Sequence, residues 1–206
     1  PVVANPDRLV SIRTVTTRGD ANVSYPTFQD LRDAEISAVA GTRNFESLAA
    51  SGIRRFNLRL SPTADLTQSE PIWGALTTAN YFTTLGVRAV LGRTFLPVED
   101  SIPGESPVAV ISYGLWQRRF AGANDVRGRR IWVNNREFTV VGVAPERFNG
   151  TISRLAFDIW IPLTMQPKLT GNPHMNEERD VRWLDAFGRL APGASLESAN
   201  AAIHTD

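Results

Sequence analysis

His174 and His204 are the chain's only imidazoles, and it has no cysteine. Nucleophile–His–carboxylate catalysis needs an imidazole held against a positioned serine, and the Gly-x-Ser-x-Gly turn that exposes such a serine is absent. The two histidines are too far apart in sequence for a metal pair at i, i+4, so each reads as a surface or capping residue. Lack of cysteine excludes a disulfide framework, a Cys-ligated zinc and thiol chemistry. Carboxylates are plentiful, so an acid–base pair would be a matter of spatial arrangement. Asp158, between Phe157 and an apolar Ile-Trp-Ile-Pro-Leu run, is the candidate for a buried carboxyl with a raised pKa. The favoured reading is plainer: it sits at a strand's mouth and takes backbone N–H or arginine partners. Glu99, Asp100 and Glu105, spread around Pro103-Gly104, could face Ca²⁺, but their spacing is not that of a dedicated loop, and a solvated turn is expected. The stretch GVRAVLGRT has the wrong glycine spacing for a phosphate cradle and carries Arg93 where lysine is needed. No catalytic, cofactor-binding or metal residue is therefore assigned, no cofactor is expected, and no ligand- or partner-binding residue is identified. A non-enzyme is expected.

The elements around these residues are easier to read. Leu9 to Thr16 is rich in β-branched residues and predicts a strand. Ser24 is a good N-cap for a helix from Tyr25 to Val39, ending near Gly41, with Phe28 and Leu31 on one face. In IRRFNLRLS, Phe56, Leu58 and Leu60 alternate with Arg55, Asn57 and Arg59. The arginine face suits an anionic partner, but a solvated sheet face is the more ordinary outcome. WGALTTANYFTTLGV starts as a strand and becomes a short helix, capped by Asn80 or Thr78 and stopped by Gly86. Val108 to Ile111 is a strand, and Ser112 caps a helix that pairs Trp116 with Phe120 and ends at Gly122. Those two aromatics could form a binding platform; as large rings at helical spacing they read rather as core. Ile131 to Val133 and Phe138 to Val143 form a tight hairpin around Asn134-Asn135. Phe157 to Met165 is a strand bent at Pro162, a polar loop follows, and RWLDAFGRL is the last strand. Ser195 caps a final helix with Leu196, Ala199, Asn200 and Ile203 on one face. Helices packed on a sheet in this order make an α+β protein.

Composition sets outer bounds. The 206 residues suffice for one large domain or two small lobes, and 42% hydrophobic with 21% charged residues is ordinary for a globular protein. A net charge of +1 gives no strong electrostatic case for nucleic acid or an anionic membrane. No run approaches the roughly 18 apolar residues of a membrane span, and no signal peptide opens the chain. Pro1 is not a natural start and the last helix has no stop signal, so an excised piece of a longer protein is expected.

Five segments in order carry a resemblance: SYPTFQDLRD, ALTTANYFTTLGVRAVLGRTFLPVED, PVAVISYGLWQRRFAGANDVRGRRIWVNNREFTVVGVAPERFNGT, DIWIPLTM and GRLAPGASLESANAAI. Together, from Ser24 to the C-terminus, they resemble the MacB-like periplasmic core domain of ABC transporter permeases of the MacB/FtsX superfamily, including the duplicated acidobacterial type. The run from Ala75 to Phe148 is the most specific. The resemblance implies a porter-like α/β lobe of βαβ units from residues 1–95 and 160–206, and an inserted β-rich, sabre-like lobe over 96–159 with one helix. It implies a position between the first two transmembrane helices, on the periplasmic side of the bacterial inner membrane. The implied partners are a cytoplasmic ABC ATPase acting through the membrane domain, a second permease copy and a periplasmic adaptor, with no nucleic acid. The implied work is non-catalytic: coupling ATP-driven helix movement to export or mechanical work. Gly86, Gly92, Trp116, Phe120, Gly142 and Pro145 match the recurring pattern as fold determinants; Val90 and VRGRRIWVNNREF depart from it, which puts partner identity in doubt. The alternative is a ligand-sensing module of a permease-like signalling protein, with an apolar cleft lined by Tyr81, Phe82 or Trp183.

Overall fold

The computed structural model describes residues 3–38, 43–63, 69–152 and 154–203. The stretch expected as one strand over Leu9 to Thr16 is two, β1 (Leu9–Ile12) and β2 (Thr14–Thr16). β1 lies along the last strand of the chain, whereas β2 turns back to pair with β3 (Gly19–Ala21), so the partners diverge at Arg13. β4 (Val23–Ser24) leads into α1 (Tyr25–Ser37), where the Ser24 hydroxyl accepts the N–H of Thr27 as an N-cap. The expected stop near Gly41 falls outside the described residues.

β5 (Phe45–Arg59), at 15 residues, is far longer than an ordinary strand and pairs different partners along its two halves. After it come β6 (Glu70–Thr77), α2 (Tyr81–Leu85) and β7 (Leu91–Gly92). Gly86 ends α2 in the left-handed conformation at φ 70. The Asn80 side chain makes no cap; it donates instead to the carbonyl of Leu48 at 2.7 Å. β8 (Val108–Ile111) and α3 (Tyr113–Phe120) meet at Ser112, whose hydroxyl accepts the N–H of Leu115 at 3.0 Å. β9 (Arg130–Val133) and β10 (Arg136–Val143) form the expected hairpin, with Asn134 at φ 48 and Asn135 at φ 66 supplying the two left-handed residues such a turn needs. The strand expected over Phe157 to Met165 is limited to β11 (Ile159–Pro162), because the chain tightens into a 3₁₀ turn before α4 (Gln166–Leu169). β12 (Arg182–Leu190) and α5 (Leu196–Ile203) complete the chain.

The pairings close on themselves. β5 pairs β6, β6 pairs β11, β11 pairs β8, β8 pairs β10, β10 pairs β9, and β9 returns to β5 through Leu58↔Val133 and Arg59↔Trp132. The second half of β5 is thus a stave of a small closed ring. Its first half stands outside that ring and pairs β12 from Asp185↔Ser51 to Leu190↔Phe45, with β1 beyond. Closure matters physically, since it leaves those staves without an open edge. The result is an α+β fold with two buried layers. Phe56, Leu58, Ile72, Ile131, Phe138 and Ile159 belong to the first, where opposed residues of paired strands share the inner face. Leu115 of α3 joins them, with Trp116 and Phe120 half-buried against the same cluster. Ala75, Tyr81, Phe82, Phe148 and Trp160 form the second layer on the opposite face. There Phe148 and Trp160 stack with ring centroids 5.4 Å apart. In α5, Ala199 is buried and Ile203 packs on the first layer, but Leu196 is 63% exposed. No helix among the described residues is long and apolar enough to cross a membrane.

Candidate functional site

Asp158 stands at the mouth of β11. Its N–H donates to the carbonyl of Trp73 at 2.7 Å and its carboxylate accepts from Arg118 at 3.1 Å. Arg118 also donates to Glu70 at 3.0 Å, and Arg119 reaches the other Glu70 oxygen at 2.9 Å. Burial raises the Asp158 pKa, Arg118 opposes that rise, and the charge of Glu70 adds to it. Two carboxylates and two guanidiniums interleaved in this way satisfy one another. The group ties α3 to β6 and to the residue that precedes β11.

The acidic cluster is not the solvated turn expected from its sequence. Glu99 is only 7% exposed, and its two oxygens take the Arg93 guanidinium in a fork at 2.7 and 2.9 Å. One of those oxygens also accepts the N–H of Leu96 at 2.7 Å, while the Glu99 N–H donates to the Leu96 carbonyl at 2.9 Å, so the glutamate caps a short 3₁₀ turn from within. Asp100 is largely buried as well. One of its oxygens accepts the N–H of Ala79 at 3.3 Å, and the other is buried without a partner. Burial pushes its pKa up to about 6, against the smaller lowering effects of that hydrogen bond and of Arg32. Only Glu105 is exposed. Among the described residues no group of three histidine or acidic side chains is placed to hold a metal ion. His174 is exposed, with Nδ1 3.1 Å from Glu177, and His204 lies outside the described residues.

The proposed aromatic cleft is also corrected. Tyr81 and Phe82 are fully buried and pack edge-on at 5.3 Å, so neither can line an opening. Burial pushes the Tyr81 hydroxyl up to about 12, and it donates to Thr151 at 3.3 Å. Trp183 is 8% exposed, and the Arg54 guanidinium covers its ring at 4.3 Å. The larger concavity lies elsewhere: an open groove of about 410 Å³ between α1 and the segment after β7, lined by Phe28, Ile36, Asn80, Phe95, Pro97 and Asp100.

Sequence reasoning missed Glu99 as a structural acid and Glu70 as the centre of an ion-pair group. For Glu99 a weak signal existed, a glutamate three residues after the residue preceding Pro97; the leucine at the cap position hid it. It also missed Arg189 on β12. That buried guanidinium donates to the carbonyls of Thr84 at 2.8 Å, Asn5 at 3.2 Å and Ala4 at 2.6 Å. It locks the first described residues to α2 and to β12, the strand between β1 and β5.

The family model for the MacB-like periplasmic core domain matches residues 3–206. The fold is similar to the periplasmic region of MacB from Actinobacillus actinomycetemcomitans, with a TM-score of 0.66 and 13% identity over 98% of this chain and 85% of that one. It is also similar to the extracellular domain of the noncanonic ABC-type transporter YknZ from Gram-positive bacteria, with a TM-score of 0.62 and 14% identity over 94% and 86% of the two chains. A search among curated proteins gives no match. A family model spanning nearly every residue, and a sheet plan held in common at low identity, lead to one conclusion: the chain belongs to the MacB-like periplasmic core domain family, the domain carried by MacB- and FtsX-like ABC transporter permeases.

Proposed function

We propose that this domain works without catalysis, as a stiff extracytoplasmic lever of an inner-membrane ABC permease. It would pass transmembrane helix movement, driven by a cytoplasmic ATPase, to a paired domain of a second permease copy and to a periplasmic adaptor. The observation that carries this reading is the Arg189 clamp. Three carbonyls from two separate segments converge on one buried guanidinium, so a pull on residues 4–5 is delivered to β12 and α2 rather than absorbed by a loose arm. β5 then runs from that sheet into the closed ring without a break. Division into a 1–95 plus 160–206 lobe and a 96–159 lobe belongs to the same proposal. Because the ring draws β5 and β6 from outside 96–159, we take that division as a boundary in sequence rather than a hinge.

The test uses the full permease with its ATPase in lipid vesicles. Arg189→Met should leave basal ATP hydrolysis within about twofold while abolishing the nucleotide-dependent change in distance between two spin labels on paired domains. A distance change that survives the substitution would remove the clamp from the mechanism. A second reading, a ligand-sensing module, is favoured by the largely apolar groove with Asp100 in its lining. In that case the distance change would follow ligand addition without nucleotide.

A further inference from the structure

The outer wall of the ring carries a basic and aromatic row that one strand alone does not display. Arg55, Asn57 and Arg59 alternate with the inward Phe56 and Leu58 on β5. The ladder places Trp73 of β6 opposite Arg55 and Trp132 of β9 opposite Arg59. Directly opposed residues project from the same face, so two indoles flank the arginines. Trp73 is 39% exposed, and the Arg55 guanidinium lies 5.4 Å from its ring centroid. Arg59 donates to Asn135 at 2.9 Å, which fixes its direction along the wall. Arg130, beside Trp132, adds a further positive charge, and it lies 3.4 Å from Glu137. Two strand spacings and four residues of rise separate the indoles by roughly 17 Å along the wall.

We propose that this row binds an acidic polysaccharide. Indole faces stack on the C–H faces of sugar rings, and planar guanidiniums fork onto uronate carboxylates, so a linear polymer bearing both would engage the platforms and the charges in turn. The spacing fits a strand several sugars long draped across the wall. An acidic protein surface is served less well, since protein partners draw their affinity from anchors sunk in desolvated pockets, and this row lies on an exterior wall. The inference is independent of the lever reading, since it rests on different residues.

The test is mobility of the chain in native gels containing polygalacturonate, neutral dextran or polyglutamate. Polygalacturonate should retard it, with dextran and polyglutamate each much weaker. Trp73→Ala and the Arg55→Gln/Arg59→Gln double variant should each weaken the apparent affinity by about tenfold or more. Trp73 is exposed and the glutamines keep most of the arginine stem, so unchanged melting temperatures are expected for both and serve as the folding control. No retardation by polygalacturonate would overturn the proposal. Equal retardation by polyglutamate, with Trp73→Ala unaffected, would also overturn it, in favour of an acidic peptide. Equal retardation by dextran would remove the role given to the arginines.

Discussion

Asp100 gives the sharpest quantitative prediction. Its carboxyl is raised from 3.8 to about 6 by burial, with Arg32 and the Ala79 N–H working in the other direction. A folded-state value above the unfolded one means that the folded protein holds this proton more tightly. The stabilisation is therefore complete below the unfolded value and is lost as pH rises through the folded one. Moving a carboxyl from 3.8 to about 6 corresponds to about 3 kcal/mol in all. About 1 kcal/mol of this is gone by pH 4.5 and about 2 kcal/mol more by pH 7.5. Asp100→Asn keeps an acceptor for the Ala79 N–H and removes the titration, although its amide would meet the site where an oxygen now lacks a partner. Urea unfolding of both proteins at pH 4.5, 6 and 7.5 measures the effect. The stability difference should move by about 2 kcal/mol in favour of asparagine between the lowest and highest pH. Asp158 and Asp185 are also raised by burial, but both proteins contain them, so they cancel in the difference. A difference constant to within about 0.5 kcal/mol would show that Asp100 titrates as a solvated acid and that the burial argument is wrong.

Trp116→Ala should cost about 2–3 kcal/mol, less than for a fully buried tryptophan, because the ring is half-buried and also loses its bond to the Ala123 carbonyl; chemical denaturation measures it, and no change would return the ring to the role of a binding platform. Glu99→Ala should cost about 2 kcal/mol by leaving the Leu96 N–H and the Arg93 fork without their acceptor, and Glu99→Gln should recover part of that in the same assay. Gly142→Ala should lower the melting temperature well beyond an ordinary surface change, since a Cβ there would stand 2.0 Å from the Arg93 carbonyl oxygen, a backbone atom that cannot turn aside.

The caps at Ser24 and Ser112 and the Asn134-Asn135 hairpin were legible because each is decided within a few residues. The start of β5 was not. Phe45 to Gly52 does not alternate, because between Leu48 and Gly52 the strand is buried on both faces, and period-two reasoning needs one wet face. Closure of the ring was illegible for another reason: it depends on β9 meeting β5 across more than seventy residues at only two register positions. The acidic cluster misled because exposure is tertiary. Glu99 and Asp100 look like a loop in sequence, and only their tertiary setting takes them out of water: the Arg93 fork and the Thr164 hydroxyl on Glu99, and the Ala79 N–H of the β6–α2 junction on Asp100.

The same contrast bears on how such a domain does its work. Charged groups that are buried or half-buried stand at joints among the described residues: Arg189 between the first described residues and the sheet, Glu70 between α3 and β6, Glu99 beneath the turn beside the groove. Arg189 and Glu70 join segments distant in sequence through charge-assisted hydrogen bonds, whereas Glu99 braces a local turn; such bonds are directional and resist shear where apolar packing slides. If the lever reading holds, the effects of breaking these joints should rank by position along the path from residues 4–5 to the ring. Arg189→Met should abolish transmission in the full permease, whereas Glu70→Gln, which lies within the ring, should lower stability and leave transmission intact. Equal loss of transmission from both would mean that the domain responds as a deformable body, and the distinction between joint and stave would fall.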